Sequence, residues 1–430
     1  MSNLNLIPIG TLFDLEKGSL QSSKCTEGEY TFITAAQEWK THNEYSHECE
    51  ALIFAAAASG SLGRTHYIND KFITSDLCFI LTPKDSKKYP INLKFYHFVF
   101  NSLKDEIVKN TKSGTSKESI NQSNLRNYEI PYFEIDKQNL WIDKLVNTKS
   151  IKEDLELELS TGQSLLKQLK QTILQEAIEG NLTAKWRAKN PAIGTVKELL
   201  GQIKTEKEKL VKDKKIKPSK PLAPINEDEI PFDIPSAWEW CKIGDSVRVK
   251  IGSTPDRQNL QYWNGNINWV ASGEVANNYI YETKEKITEL GFNNTSLEVC
   301  PSGTVLVAMI GQGKTRGQTS ILKIPAATNQ NVAALIISHN FLISEYLWFY
   351  FLSMYDKTRS NATGGNQPAL NSIKINNMTI PFPPLEEQKE IVATIEKLFV
   401  ICDELENEIN QNKTTVDNLM ATVLKEAFEQ

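Results

Sequence analysis

Val307-Ala-Met-Ile-Gly-Gln-Gly-Lys-Thr315 is the segment of this 430-residue sequence that comes nearest to a known chemical signature. The phosphate loop of nucleotide hydrolases, G-x-x-x-x-G-K-[ST], cradles phosphates on backbone amides and reaches them with its Lys. Gly313-Lys314-Thr315 supply its end, but Ala308 stands where its first Gly belongs. At a spacing of 250 residues, Gly63-Arg64-Thr65 occupies the matching place, with Arg for Lys. A planar guanidinium is a poor replacement for the compact ammonium that such a site needs. A nucleotide hydrolase therefore stands as the alternative, and a Gly-rich basic turn against a phosphate backbone as the better fit. In that reading Arg64, Lys314 and Arg316 supply charge, and Ser59, Ser61, Thr65, Gln312 and Thr315 supply further polar groups. The plain reading is a hairpin turn with solvated cations.

Polar segments recur ahead of apolar runs. Thr328-Asn-Gln-Asn331 opens VAALIIS, and Thr74-Ser-Asp76 precedes LCFIL. Thr363-Gly-Gly-Asn-Gln-Pro368 precedes ALN, with Ser113-Gly-Thr-Ser116 at the matching place. Asn329, Gln330, Asn366 and Gln367 carry the carboxamides that bond adenine edges bidentately. The same residue types form turns and caps. No catalytic set emerges beside them. The five His make no H-E-x-x-H spacing, there is no N-P-P-[FYW] methyltransferase motif, and Asp256 lacks the clustered carboxylates of a nuclease. The six Cys are scattered without C-x-x-C, so a zinc ribbon, a redox pair and a disulfide scaffold lose support, and no metal site is expected. Trp238, Trp240, Trp263 and Trp269 read as core of a second domain.

The elements that must position these loops come from an internal repeat. LKQTILQEAIEG (169–180) and LMATVLKEAFEQ (419–430) agree at six of twelve positions, 250 residues apart. The same offset joins Ile130-Pro131 to Ile380-Pro381. Nearer the start it falls to 234, where Ile9-Gly10 and Gly18-Ser19 meet Ile243-Gly244 and Gly252-Ser253. The second copy thus carries an insertion, which takes in YWNGNINW (262–269). Each copy is a mixed region followed by a long helix.

The helices repeat every seven residues. Ile391, Ile395, Leu398, Cys402, Leu405, Ile409, Asn412, Val416, Leu419 and Val423 step alternately by four and three, as an a/d seam does. The matching seam of the first copy includes Leu155, Leu159, Leu166, Leu169 and Ile173, with weak spots at Thr148, Lys152 and Gly162. Two such units in one chain favour an antiparallel pairing about an approximate two-fold axis. The expected fold is mixed α/β (α+β): two tandem domains, each followed by a long helix, with the helices paired as an antiparallel coiled coil. Between the copies, residues 201–220 hold eight Lys against three acids, and Pro residues follow to 235, which reads as a charged linker.

Several segments resemble the specificity (S, HsdS) subunit of type I restriction–modification enzymes over essentially the whole length. They are LLKQLKQTILQEAIEGNLTAKWRAKNP (165–191), IPFDIPSAWEWCKIGD (230–245), STPDRQNLQYWNGNINWVASGEV (253–275), ATNQNVAALI (327–336) and IPFPPLEEQKEIVATIE (380–396). The resemblance implies target-recognition domains at 1–137 and 237–384, helical regions at 138–182 and 385–430, and a linker at 183–236. Each domain would read one half of a split site in double-stranded DNA. Lys112, Ser253, Thr254, Arg257 and Ser272 join the loop residues above as candidate DNA contacts. The first domain lacks a counterpart of STPDR and of YWNGNINW. The resemblance further implies two modification subunits, which carry S-adenosylmethionine and methylate adenine N6. Two restriction subunits would add ATP- and Mg²⁺-dependent translocation and cleavage. This chain would be non-catalytic and hold no cofactor of its own. A scaffold that binds protein only is the third reading. No apolar run approaches the roughly 18 residues of a membrane helix, and no signal peptide is visible, so a cytoplasmic protein is expected. The net charge of −5 speaks against a generally basic nucleic-acid binder and leaves room for local basic loops.

Overall fold

The computed structural model describes all residues except 1–4, 58–59, 114–117, 192–195, 215, 217, 219–220, 312, 361–369 and 430. The chain divides into two compact units: 1–163 with 407–430, and 164–406.

In the first unit β1 (Leu6–Pro8) leads through α1 (Ile9–Leu12) into β2 (Phe13–Lys17). Then follow β3 (Tyr30–Ile33), β4 (Lys40–His42), β5 (His47–Ala55), β6 (Thr65–Thr74) and β7 (Cys78–Pro83). They form one sheet in the order β2-β7-β5-β6-β3-β4. The second half of β5 is apolar at every position and is buried on both faces. Leu52 and Phe54 face a cluster with Phe13, Tyr96 and Phe100, while Ile53 and Ala55 face Ile33, Phe72 and Ile80. Three short helices, α2 (Leu93–Ser102), α3 (Lys104–Thr111) and α4 (Gln122–Asn127), cover the first face. Between α3 and α4 lies the hairpin of β8 (Lys112–Ser113) and β9 (Ser119–Ile120). β10 (Glu129–Pro131) pairs antiparallel with β1, and α5 (Ile135–Ile178) follows.

In the second unit α6 (Ala184–Lys189) and α7 (Val196–Lys212) precede β11 (Glu239–Lys242), α8 (Ile243–Ser246) and β12 (Arg248–Ile251). Next come β13 (Trp263–Val270), β14 (Tyr279–Ile280), β15 (Glu285–Ile287) and α9 (Glu289–Asn293). β16 (Val305–Ala308), β17 (Thr319–Leu322), β18 (Ala327–Thr328) and β19 (Val332–Ile336) follow. α10 (Ser344–Ser353), α11 (Tyr355–Ser360), α12 (Ser372–Asn377), β20 (Thr379–Phe382) and α13 (Leu385–Glu429) complete the chain. The main sheet runs β12-β19-β16-β17-β14, with β14 parallel to β17 as β3 is parallel to β6. A second sheet, β15-β13-β18, has no counterpart among the described residues of the first unit, and it contains the expected insertion.

The repeat holds down to single hydrogen bonds. Ile9 N donates to Tyr128 O, and Ile243 N to Met378 O. The Tyr96 hydroxyl donates to Pro131 O, and the Tyr346 hydroxyl to Pro381 O. Gln138, buried at the start of α5, donates to Phe133 O and accepts from Asn92 N. Gln388, buried at the start of α13, donates to Pro383 O and accepts from Ile343 N.

The long helices pair antiparallel within each unit. In the first, Lys144 of α5 meets Glu426 of α13 at 2.9 Å, while a Cβ on Gly162, further along α5, would meet Ile409, further back on α13. In the second, Lys170 reaches Asp403 and Glu406 at 2.8 and 2.9 Å. Leu166, Ile173, Ile391, Ile395, Val416 and Val423 are buried, and Leu155, Leu159, Leu398, Ile409 and Leu419 are half-buried. Leu169 and Leu405 depart from the expected seam, at 45% and 42% exposure. Lys170 takes the inward place beside Leu169, and its two ion pairs interrupt the apolar stripe there. The charged linker is also not free throughout. α7 buries Val196 and Ile203 in the second unit, and Lys207 Nζ donates to Gly244 O.

Candidate nucleic-acid interface

The candidate loops of the second unit gather where β12, β16 and β18 end. Ser253 N donates to Thr328 O at 2.9 Å, and Asn329 N donates to Val270 O at 3.0 Å. Gly252 lies so close to Thr328 O that a side chain cannot fit. Asn329 is buried, and its Oδ1 accepts from Asn331 N at 3.0 Å. That local bond folds a turn whose next residue, Gln330, is exposed. The Thr254 hydroxyl donates to Gln330 Oε1. Met309 N closes the cluster on Asn331 O at 2.9 Å.

Arg257 stands on the added sheet. Its guanidinium lies 3.9 Å over the Trp263 ring and 5.1 Å from that of Trp269, and it forks onto Glu285. That fork holds the Glu285 carboxyl below its ordinary range. Trp269 Nε1 donates to Ser253 O at 3.0 Å, so the indole ties the added sheet to the loop cluster. Ser272 follows β13 in a short 3-10 turn and is half-buried.

The first unit builds the same framework. Ser19 N donates to Thr74 O, and Gly18 is pressed against Ser75 O. Ser75 is buried, and its Oγ accepts from Leu77 N as Asn329 does from Asn331. Ala56 N donates to Leu77 O as Met309 N does to Asn331 O. Residues 19 and 20 thus match Ser253 and Thr254, and Asp76 matches Gln330. The first two positions of STPDR have a backbone counterpart at 19–20, while Arg257, which stacks on the added sheet, has none among the described residues.

Two expectations about the basic turn change. The hairpin β5–β6 closes with Gly63 N on Ala55 O, and β16–β17 closes with Gly317 N on Ala308 O. Both glycines have positive φ, +79 and +83. Gly63-Arg64-Thr65 therefore corresponds to Gly317-Gln318-Thr319, and not to Gly313-Lys314-Thr315. The 309–318 turn also leads from strand to strand, whereas a phosphate loop opens a helix, so its resemblance to one is local.

Other expected contacts separate by exposure. Lys314 is exposed, and its carbonyl accepts from the Tyr355 hydroxyl at 2.6 Å. Thr315 is half-buried. Thr65, Arg316 and Asn329 are only 1%, 4% and 7% exposed, which removes their side chains from direct contact. Thr65 Oγ1 turns back to Gly63 O, and Thr65 N bonds Asn101. Arg64 is half-buried and braces its turn, donating to Ala35 O at 3.3 Å and to Ser61 Oγ at 3.2 Å. Lys112 is exposed but paired with Glu118 at 2.6 Å. Ser59, Gln312, Asn366 and Gln367 lie outside the described residues. Ser19, Asp76 and Trp39 were not among the expected residues. Trp39 is 42% exposed, and its Nε1 donates to His66 Nδ1 at 3.3 Å. The aligned Gly18-Ser19 pair is the signal for Ser19, and Thr74-Ser-Asp76, set beside Thr328-Asn-Gln-Asn331, is the signal for Asp76.

Two mixed α/β units, each presenting a polar loop cluster on a backbone framework that the other repeats, define a duplicated recognition protein. The profile of the "Type I restriction modification DNA specificity domain" matches residues 1–160 and 235–412. The chain belongs to that family. It is 29% identical to the type I restriction enzyme EcoEI specificity subunit of Escherichia coli, over 60% of this chain and 44% of that one. With the EcoDI specificity subunit of Escherichia coli it shares 23% over 98% of this chain and 87% of the relative. With the MjaIX specificity subunit of Methanocaldococcus jannaschii it shares 34% over 42% of this chain and 41% of the relative. The matches to the EcoEI and MjaIX subunits thus span less than half of those proteins. A solved chain from work on complex assembly and conformational transition of the type I R-M system has the same fold, with a TM-score of 0.70 at 13% identity over 100% of this chain and 98% of that one. The HsdS subunit of Thermoanaerobacter tengcongensis follows at 0.54 and 14%, over 99% and 97%. Among the described residues no group of three or more His, Cys, Asp or Glu could hold a metal, and no helix is long and apolar enough to cross a membrane.

Proposed function

We propose that this chain is the non-catalytic specificity subunit of a type I restriction–modification complex, and that each unit reads one half of a bipartite double-stranded DNA site. The observation that carries this reading is the twice-built loop framework. Matching backbone bonds hold the two turns: Ser19 N to Thr74 O and Ala56 N to Leu77 O in one copy, Ser253 N to Thr328 O and Met309 N to Asn331 O in the other. The scaffold is kept while the residue on it differs, half-buried Asp76 in one and exposed Gln330 in the other. Lys314 and the half-buried Arg64 supply local positive charge for phosphates, Lys112 being neutralised by Glu118, and a protein with a net charge of −5 needs no more than such local patches.

The partners in this reading are two modification subunits and two restriction subunits. S-adenosylmethionine, ATP and Mg²⁺ act in those partners, in the cytoplasm. The helices α5 and α13 carry exposed Leu140, Ile151, Leu157, Leu165 and Val400, apolar groups that suit docking of protein. The test exchanges residues 1–135 for those of another family member, co-expresses the chain with its modification subunit and maps the methylated adenines. One half of the motif is expected to change and the other to persist. Change in both halves, or in neither, would remove the division of labour.

A further inference from the structure

We infer that Asp76 and Gln330 are the specificity-determining side chains of their loop clusters, Asp76 selecting a cytosine and Gln330 an adenine in the major groove. The inference rests on the DNA-reading function proposed above and assigns it to two positions. Each residue follows a buried polar side chain that folds the turn, Ser75 in one unit and Asn329 in the other. In each, the turn is locked from both sides: Thr74 O or Thr328 O accepts from the Ser19 or Ser253 amide, and Leu77 O or Asn331 O accepts from Ala56 or Met309. Gln330 is exposed on its turn; Asp76 is half-buried on its own, its amide donating to Leu20 O and its Oδ1 accepting from the Ser75 hydroxyl at 3.4 Å, which leaves Oδ2 for a base. Both side chains are held on a fixed backbone, as base readout requires.

The two side chains differ in what they can read. A carboxamide offers one acceptor and one donor side by side, which matches adenine N6 and N7. The Thr254 hydroxyl bonds Gln330 Oε1 and orients the amide, leaving one lone pair and the NH₂ group for a base. A carboxylate only accepts. Near phosphates it is repelled unless an amino hydrogen meets it. Cytosine N4 offers such a hydrogen, whereas adenine sets the N7 lone pair beside its amino group. Asp76 therefore rejects three of the four bases and favours cytosine.

The experiment co-expresses the full chain with its modification subunit and reads the methylated motif by sequencing. Asp76→Asn is expected to lose its preference for C over A at one base pair of one half-site, by about 10- to 100-fold, with the other half unchanged. Gln330→Glu is expected to lose the preference for A over C at one base pair of the other half-site, by a similar factor, with the first half unchanged. Asp76→Ser serves as the second variant should Asp76→Asn not fold, and it is expected to leave that pair degenerate. Variants that fold and keep the parental motif would overturn the assignment. A wild-type complex that methylates no bipartite motif would instead overturn the DNA-reading function beneath it.

Discussion

At the scale of single residues, exposure separates side chains that the sequence presents alike. Lys314 and Thr65 both belong to glycine-containing turns, yet one faces water and the other is buried, its hydroxyl turned back onto Gly63 O. Lys314→Ala is expected to weaken DNA binding and to lower the salt dependence by about one ion, as loss of one phosphate contact does. Thr65→Ala is expected to leave that slope alone and to cost about 1 kcal/mol of stability through the lost hydroxyl bond. Titrations against salt and denaturant melts distinguish the two. A third residue acts through pH. Burial, with repulsion from Lys149 and His66, pulls the His97 imidazole down to about 4. The unfolded chain takes up that proton near pH 6.5, and the folded chain does so only near 4. Stability is therefore unaffected above pH 6.5 and falls on the way down to 4, by about 3 kcal/mol in all. His97→Gln should flatten that part of the melting profile.

At the scale of elements, legibility followed constraint on chain length. The buried Gln138 and Gln388 and the tyrosine bonds to Pro131 and Pro381 lie where the two copies keep an offset of about 250, and a sequence comparison finds them. The hairpins β5–β6 and β16–β17 differ in loop length. Hydrogen bonds fix the strand ends, but nothing fixes the number of residues between them, so Gly63 was paired with the wrong glycine. The coiled-coil seam was legible because a seven-residue period spans many turns. Its break at Leu169 was not, because the ion pairs of Lys170 come from distant sequence. The start of α13 shows a further lock. Glu387 is fully buried and accepts from Thr183 Oγ1 at 2.7 Å, Arg187 Nε at 2.9 Å and Trp238 Nε1 at 2.8 Å. Glu387→Ala leaves Arg187 without its buried partner and is expected to destabilise the second unit by roughly 3–5 kcal/mol. Equilibrium unfolding of the full chain measures it.

At the scale of the whole molecule, the duplication reconciles an acidic overall charge with the DNA-reading function proposed above. Each unit needs one small face, and acidic residues elsewhere, such as Glu153, Glu156, Glu404 and Glu408, set the total. Truncation should respect the same division. Because residues 407–430 belong to the first unit, removing them is expected to destabilise that unit and spare the second. Limited proteolysis of the shortened chain would show early cleavage confined to residues 5–163.

Gly18 and Gly252 have a consequence for how new specificities arise. Each is held against a carbonyl of the turn it supports, leaving no room for a side chain. The foundation of each loop is thus written in backbone atoms, which substitutions at neighbouring positions do not alter. A randomised library at 76 and 330 is expected to yield mostly folded proteins with altered targets, whereas one at 18 and 252 is expected to yield almost none. The molecule is in that sense a fixed mount with an exchangeable tip, and under the proposed reading function its targets would diversify one side chain at a time.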